Sequence, residues 1–342
     1  MVRTLFHWCY YPLKFHVHLG YKLFFRKYKI VGKHNVPKKG PLIFAAAHQN
    51  ALVDALIICS STHRSPHFIT RGDIFKKKLA ADILMGLKMI PIFRFHRDGL
   101  ENVRKNDEAF NAANIVLKKK YSLGIFPEGQ HHLSHNVLRF RNGIAKMAFR
   151  AEAEADFKLG VQIVPTGIHY EYYFDGSGRT LVTYGEPFTL EGYREDYEKD
   201  EKIAFDRFLD DLSDRIKPLI LHIEPTDQYD EIYNKWIEAR IYHKDLVEQL
   251  RSDQEIVRRI GNGEILPPGT KEKIPVIIRI LKFPFKLIAK LANYIPDRIV
   301  EYLLKKYIKD PHMICTFRFG ISLFLHPLFY TIYLIILALL IF

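Results

Sequence analysis

A chain of 342 residues with 48% apolar content has ample material for a folded core, which excludes a disordered chain. Its three cysteines, Cys9, Cys59 and Cys315, are odd in number and widely spaced, excluding a disulfide framework or a paired-cysteine metal site and fitting a reducing compartment. The net charge of +13 asks for an anionic partner, but the bases are interleaved with aliphatic helices and no stacking platform or nucleic-acid motif accompanies them, so no nucleic-acid partner is expected.

Residues 1–35 are expected to form amphipathic helices at a membrane interface, because aromatic and aliphatic positions alternate with Arg3, Lys14, Lys22, Arg26 and Lys27. A buried packing helix is the alternative. The start, Met1 to Cys9, lacks a clean apolar core followed by a small-residue cleavage site, so no signal peptide is read there.

From 36 to 190 the pattern is that of an α/β domain. Strands are predicted at 41–47, 66–70, 89–94, 122–126, 161–168 and 180–184, with helices between several of them. The run Pro41–Ala47 follows a Lys-Lys-Gly turn and delivers His48 at its end. Asn50 is then the expected N-cap of a helix over Ala51–Ser60, with Asp54 in its first turn. Residues six apart on one helix are rotated by about 600°, at roughly 100° per residue, so this pair meets only across a strand-to-helix bend. There the carboxylate could accept Nδ1–H and leave Nε2 as a base toward a hydroxyl. An ordinary histidine beside an ordinary first-turn acid is the alternative, since sixteen histidines make such spacings common.

Met89–Arg94 puts a guanidinium at a strand end, suited to a phosphate or to a simple ion pair. Asp98–Lys120 is the clearest helix, with a basic C-terminus that suits its dipole. Ser122–Gly129 reads as a strand and a turn that exposes Glu128 and Gly129 in a loop. Arg139–Gly143 leads into a helix from Ile144, and Arg141 and that helix N-terminus could both face an anion. Ile163–Ile168 is a buried strand, mostly core.

Residues 191–266 alternate in charge, with helical spacing at Phe205, Phe208, Leu209, Leu212 and Ile216, and read as a solvent-facing helical appendage. Pro267-Pro268-Gly269 marks a boundary. In the last segment, 267–342, Arg279, Lys282, Lys286 and Lys290 form one basic stripe on an apolar helix expected to bend at Pro284. The final run, Phe319–Phe342, is a C-terminal hydrophobic membrane segment whose 24 residues could cross a core of roughly 30 Å. A break at Pro327 leaves a re-entrant or hairpin arrangement open.

Four blocks in order, His48 to Asp54, Ile90-Pro91-Ile92-Phe93-Arg94, Phe126-Pro127-Glu128-Gly129 and Ile163-Val164-Pro165, resemble the phospholipid/glycerol acyltransferase (PlsC-like) family over residues 41–187. There are two departures from its common pattern. Five residues separate His48 from Asp54 where four are usual, and Gln130-His131-His132 stands where other members carry Thr-Arg-Ser. The longer interval is similar to the fungal-type glycerol-3-phosphate acyltransferase branch, in which a His and a Lys fall where this chain has His132 and Arg141.

The resemblance implies a mixed sheet flanked by helices, with membrane-associated helices at both ends. It implies acyl transfer from acyl-CoA or acyl carrier protein to glycerol 3-phosphate or 1-acylglycerol 3-phosphate, at the cytosolic face of a phospholipid membrane. His48 would be the general base and Asp54 its orienting partner. Arg94 and Arg141 would hold the acceptor phosphate, Glu128 and Gly129 would shape the acceptor side, and His132 would stand at the branch's histidine. No cofactor beyond the acyl donor is expected, and no metal, since the histidines lack zinc-site spacing. A lysophospholipid transacylase, an acyltransferase for another lipid alcohol and a non-catalytic basic membrane-binding protein stay open.

Overall fold

The computed structural model describes residues 2–92, 106–272 and 275–341. Its strands are β1 (Lys27–Val31), β2 (Leu42–Ala46), β3 (His67–Arg71), β4 (Met89–Ile92), β5 (Ser122–Ile125), β6 (Gln162–Tyr170) and β7 (Arg179–Tyr184). Its helices are α1 (Val2–Phe24), α2 (Ala51–Ser61), α3 (Lys78–Gly86), α4 (Asn106–Lys118), α5 (Gly143–Ala153), α6 (Arg194–Lys199), α7 (Glu201–Ile216), α8 (Tyr229–Ala239), α9 (Leu246–Gly261), α10 (Val276–Tyr307) and α11 (Ile314–Ile341).

The strands form one mixed sheet in the order β1-β7-β6-β2-β5-β3-β4. Every neighbouring pair is parallel except β6 and β7. All six predicted strands are present; residues 93 and 94, at the end of the fourth, lie outside the described residues, as do the first residues of the helix expected from Asp98.

β2 lies at the centre of the sheet and is buried throughout, with the period of two that a strand covered on both sides requires. Leu42, Phe44 and Ala46 pack with Val53 and Ile57 of α2, Tyr21 of α1 and Phe319 of α11. Ile43, Ala45 and Ala47 pack on the opposite face with Ala113 of α4, Ile144 and Ala148 of α5, and Phe208 and Leu212 of α7. The end of β2 is thereby fixed from both sides.

Three regions differ from the sequence reading. β1 was assigned to interface helices, yet it is an edge strand beside β7. Its Lys27 and Lys29 reach out to the Lys244 carbonyl and to Asp245, so cations that serve a sheet edge resemble the polar face of a basic helix. The charged stretch 191–266 is no free-standing appendage. The apolar stripe of α7 enters the main core, and Trp236 of α8 and Leu250 of α9 close over Leu181 of β7. α1 packs through one face, burying Val17 and Tyr21, while Trp8, Tyr11, Phe15, Leu19 and Leu23 stay exposed.

At the C-terminus, α10 contains Pro284 and Pro296, and α11 runs continuously over Pro327, so the chain turns between these helices instead of at Pro327. They pair side by side through Glu301 with Arg318, Asp297 with His326 and Asn293 with Tyr330. The first turns of α11 are core, with Cys315, Phe319 and Leu323 buried, and no described residue beyond Leu323 is buried. By length and composition, Pro311–Ile341 is able to cross a membrane.

Candidate active site

The chain leaves β2 through Ala47, His48, Gln49 and Asn50 and enters α2 at Ala51, which takes a positive φ of 42°. That turn wraps around one carboxylate. Asp54 has no solvent exposure, and its Oδ2 accepts from Gln49 N (2.9 Å), Asn50 N (2.7 Å) and His48 Nδ1 (2.9 Å). Its Oδ1 accepts from the Tyr170 hydroxyl at 2.6 Å. Asp54 therefore serves as the anionic cap of its own helix while it holds the imidazole. Asn50 occupies the expected N-cap position but makes no side-chain cap; its Nδ2 donates to the Tyr173 carbonyl instead.

Four donors around Asp54 replace the water it lacks, each hydrogen bond to a carboxylate contributing about 1.5–3 kcal/mol. Burial, and then the Asp54 charge, raises the Tyr170 phenol well above its usual range, so it remains a donor. With Asp54 accepting the Nδ1 proton, Nε2 of His48 carries the lone pair. The ring lies flat against Phe126, with centroids 4.0 Å apart and planes 13° from parallel, and the His131 ring stands edge-on to it at 5.5 Å. Burial, followed by the neighbouring His48 and His312, pushes His131 down to about 4.

The third predicted block, Phe126 to Gly129, comes from the end of β5, adjacent to β2. Such carboxyl ends of parallel strands are where α/β sheets place ligands. Glu128 differs from the exposed loop acid expected from sequence. It is 2% exposed, and its Oε2 accepts from His48 N while its Oε1 accepts from Leu138 N, both at 3.1 Å. The carboxylate is a brace between the β2 turn and the loop after β5. His132 lies over the same brace: its N donates to the His48 carbonyl, while its Nε2 is 3.3 Å from Glu128 Oε2 without the alignment of a hydrogen bond.

Gly129 closes the turn onto the Phe126 carbonyl with φ of 68°, and a Cβ there would lie 3.2 Å from Cδ of Arg141. Arg141 is tied to the turn by its N–H to the Pro127 carbonyl at 2.8 Å. Its guanidinium is exposed and pairs with no acid among the described residues. α5 begins two residues later with no side-chain cap, leaving its N-terminal amides open on the same loop. Arg94, the other predicted phosphate ligand, lies outside the described residues. The structure thus brings His48, Asp54, Glu128, Gly129 and His132 together and puts Arg141 at their rim.

Sequence reasoning missed Tyr170 and Phe126, because a strand-end tyrosine and an apolar strand residue both read as core. A cavity of about 290 Å³ lined by His18, Lys33 and Ser60 to His63 lies at the far end of α2 and shares no residue with this site.

Residues 27–169, from the first residue of β1 into β6, match the family model described as Acyltransferase. The chain is thus similar to acyltransferases over less than half of its length. Over 112 residues it is 33% identical to the Saccharomyces cerevisiae protein named glycerol-3-phosphate O-acyltransferase 2. That alignment takes in 32% of this chain and 15% of the yeast protein's length. A solved structure, the 1-acyl-sn-glycerophosphate acyltransferase PlsC of Thermotoga maritima, shares 21% identity at a TM-score of 0.42, covering 59% of this chain and 78% of that one. The matched stretch holds both the His48 turn and the Glu128 brace.

Proposed function

We propose that the protein is an O-acyltransferase that moves a fatty acyl group from a thioester, acyl-CoA or acyl carrier protein, to the free hydroxyl of glycerol 3-phosphate or 1-acylglycerol 3-phosphate. The observation that carries this reading is the contact between His48 Nδ1 and the fully buried Asp54, which frees Nε2 at the carboxyl end of the central strand. His48 takes the hydroxyl proton as the acceptor oxygen attacks the thioester carbonyl. The new C–O bond forms, the C–S bond breaks as the tetrahedral intermediate collapses, and the imidazolium returns the proton to the departing thiolate. No acyl-enzyme is needed.

General-base assistance of this kind contributes about 10²–10⁴-fold, so alignment of the two substrates and stabilisation of the oxyanion must supply more. Arg141, unpaired and at the rim, holds the acceptor phosphate with the amides of the α5 N-terminus, and Arg94 shares that role. Gly129 keeps the Arg141 stem close to the turn. Glu128 acts through the backbone, keeping His48 in register with the loop after β5.

The substrates also explain the surface. Every residue from Pro275 to Leu291 of the described chain is exposed, mostly apolar, and striped with Arg279, Lys282, Lys286 and Lys290. With the exposed aromatics of α1 and the bare end of α11, this surface binds a phospholipid bilayer, its bases toward the anionic cytosolic leaflet. The deciding experiment incubates purified protein with labelled acyl-CoA or acyl carrier protein and a panel of glycerol phosphate and lysophospholipid acceptors. His48→Ala is expected to lower kcat by about 10²–10⁴ with the fold intact; unchanged transfer in a folded His48→Ala protein would sink the proposal.

A further inference from the structure

The loop that carries the Glu128 brace also reaches the linker between α10 and α11. His131 stands edge-on to His48 on one side and 5.3 Å, ring to ring, from His312 on the other. Asp310 caps the short turn Pro311–Met313, its Oδ1 accepting from His312 N (3.0 Å) and facing His312 Nδ1 at 2.9 Å. The other oxygen, Oδ2, has no partner among the described residues. One ligand atom from each of His131, Asp310 and His312 lies within 4.8 Å of the other two.

We propose that His131, Asp310 and His312 form a site for a divalent transition-metal ion of the zinc type, which ties the α10–α11 linker to the loop beside His48. Two imidazoles and one carboxylate suit zinc, cobalt or nickel, whereas magnesium and calcium prefer all-oxygen sites. Bonds of about 2.1 Å at tetrahedral angles put ligand atoms roughly 3.4 Å apart, so small side-chain rotations close the set. Three protein ligands leave a fourth position for water. Because the ligands come from segments some 180 positions apart, no local spacing reveals them. The bound ion fixes the His131 ring, which stands edge-on to His48, at the approach to the base, so occupancy slows acyl transfer.

The test uses Co²⁺ as a visible probe, titrated into the full chain in detergent, so that binding is read independently of any reaction. The wild-type protein is expected to bind one Co²⁺ with a tetrahedral absorption band. His312→Ala and Asp310→Asn should each weaken binding at least tenfold with unchanged circular dichroism, while His48→Ala binds as wild type does. Absence of a band in the wild type, unchanged affinity in His312→Ala, or loss of the band in His48→Ala overturns the proposal. In a parallel acyl-transfer assay, Zn²⁺ should inhibit the wild type and spare His312→Ala, whose metal-free rate stays normal. Equal inhibition of both proteins likewise overturns it.

Discussion

The turn after β2 and the helical pair α10–α11 answer opposite physical problems. At the turn, the Asp54 carboxylate is sealed from water, and both its oxygens are taken by protein donors. On α10 and the outer half of α11, large apolar side chains such as Phe283, Phe285, Leu334 and Leu340 are mostly exposed. The first region is complete without a partner; the second is complete only against something apolar. A polar group buried among its own donors gives rigid placement of a base, whereas an apolar surface left bare gives an address.

That contrast can be broken at several points. Asp54→Ala strands four donors and should cost about 3–5 kcal/mol in denaturant unfolding and also abolish acyl transfer. Within α11, Phe319 is 1% exposed and stacks on Tyr21 at 4.1 Å, whereas Phe324 is 59% exposed. Phe319→Ala should therefore cost about 3–5 kcal/mol, against less than about 0.5 kcal/mol for Phe324→Ala, read from the same unfolding curves. Equal costs would mean that the helix does not change from core to exposed between them.

Acid should loosen the interior in a defined window. Burial holds His135 down to about 3 and His169 to about 4, both below the ordinary value near 6.5 in an unfolded chain. The unfolded chain takes up protons that the folded one refuses, so the stability from these groups is full above about pH 6.5 and falls as pH drops toward 3. The slope is at most about 1.4 kcal/mol per pH unit for each histidine. Urea midpoints between pH 7.5 and 4 measure it, and His135→Gln should flatten the slope. The smallest effect belongs to the surface: Lys282→Glu with Lys286→Glu should weaken flotation with anionic vesicles by about 1 kcal/mol per charge removed, a difference erased by high salt. No change at low salt would remove α10 from the binding surface.

Six strands were legible because each is an apolar run bounded by turn residues, and the His48–Asp54 contact because a strand-to-helix bend is the one geometry that joins residues six apart. β1 escaped because its lysines serve the sheet edge. Glu128 was read as exposed because a carboxylate in a Pro-Gly turn ordinarily is; only the tertiary fold shows the amides of His48 and Leu138 converging on it. Tyr170 stands on a strand that extends four residues past Thr166, the register partner of Ala46, and nothing local announces that its hydroxyl meets a carboxylate. The stripe of α7 was visible, but periodicity names a buried face without naming what buries it.

Tyr21 lies between Phe319 of α11 and the carbonyl of Val53, the residue before Asp54. This sandwich imposes a timetable on the newborn chain. The face of α2 that backs the His48 turn is finished only when Cys315, Phe319 and Leu323 arrive, some 250 residues after α2 itself has been made. At about 5–20 residues per second, that leaves roughly 10–50 s of synthesis during which an apolar surface beside the site is uncovered. The His48 turn is among the first parts of the sheet domain to be translated and among the last to be closed.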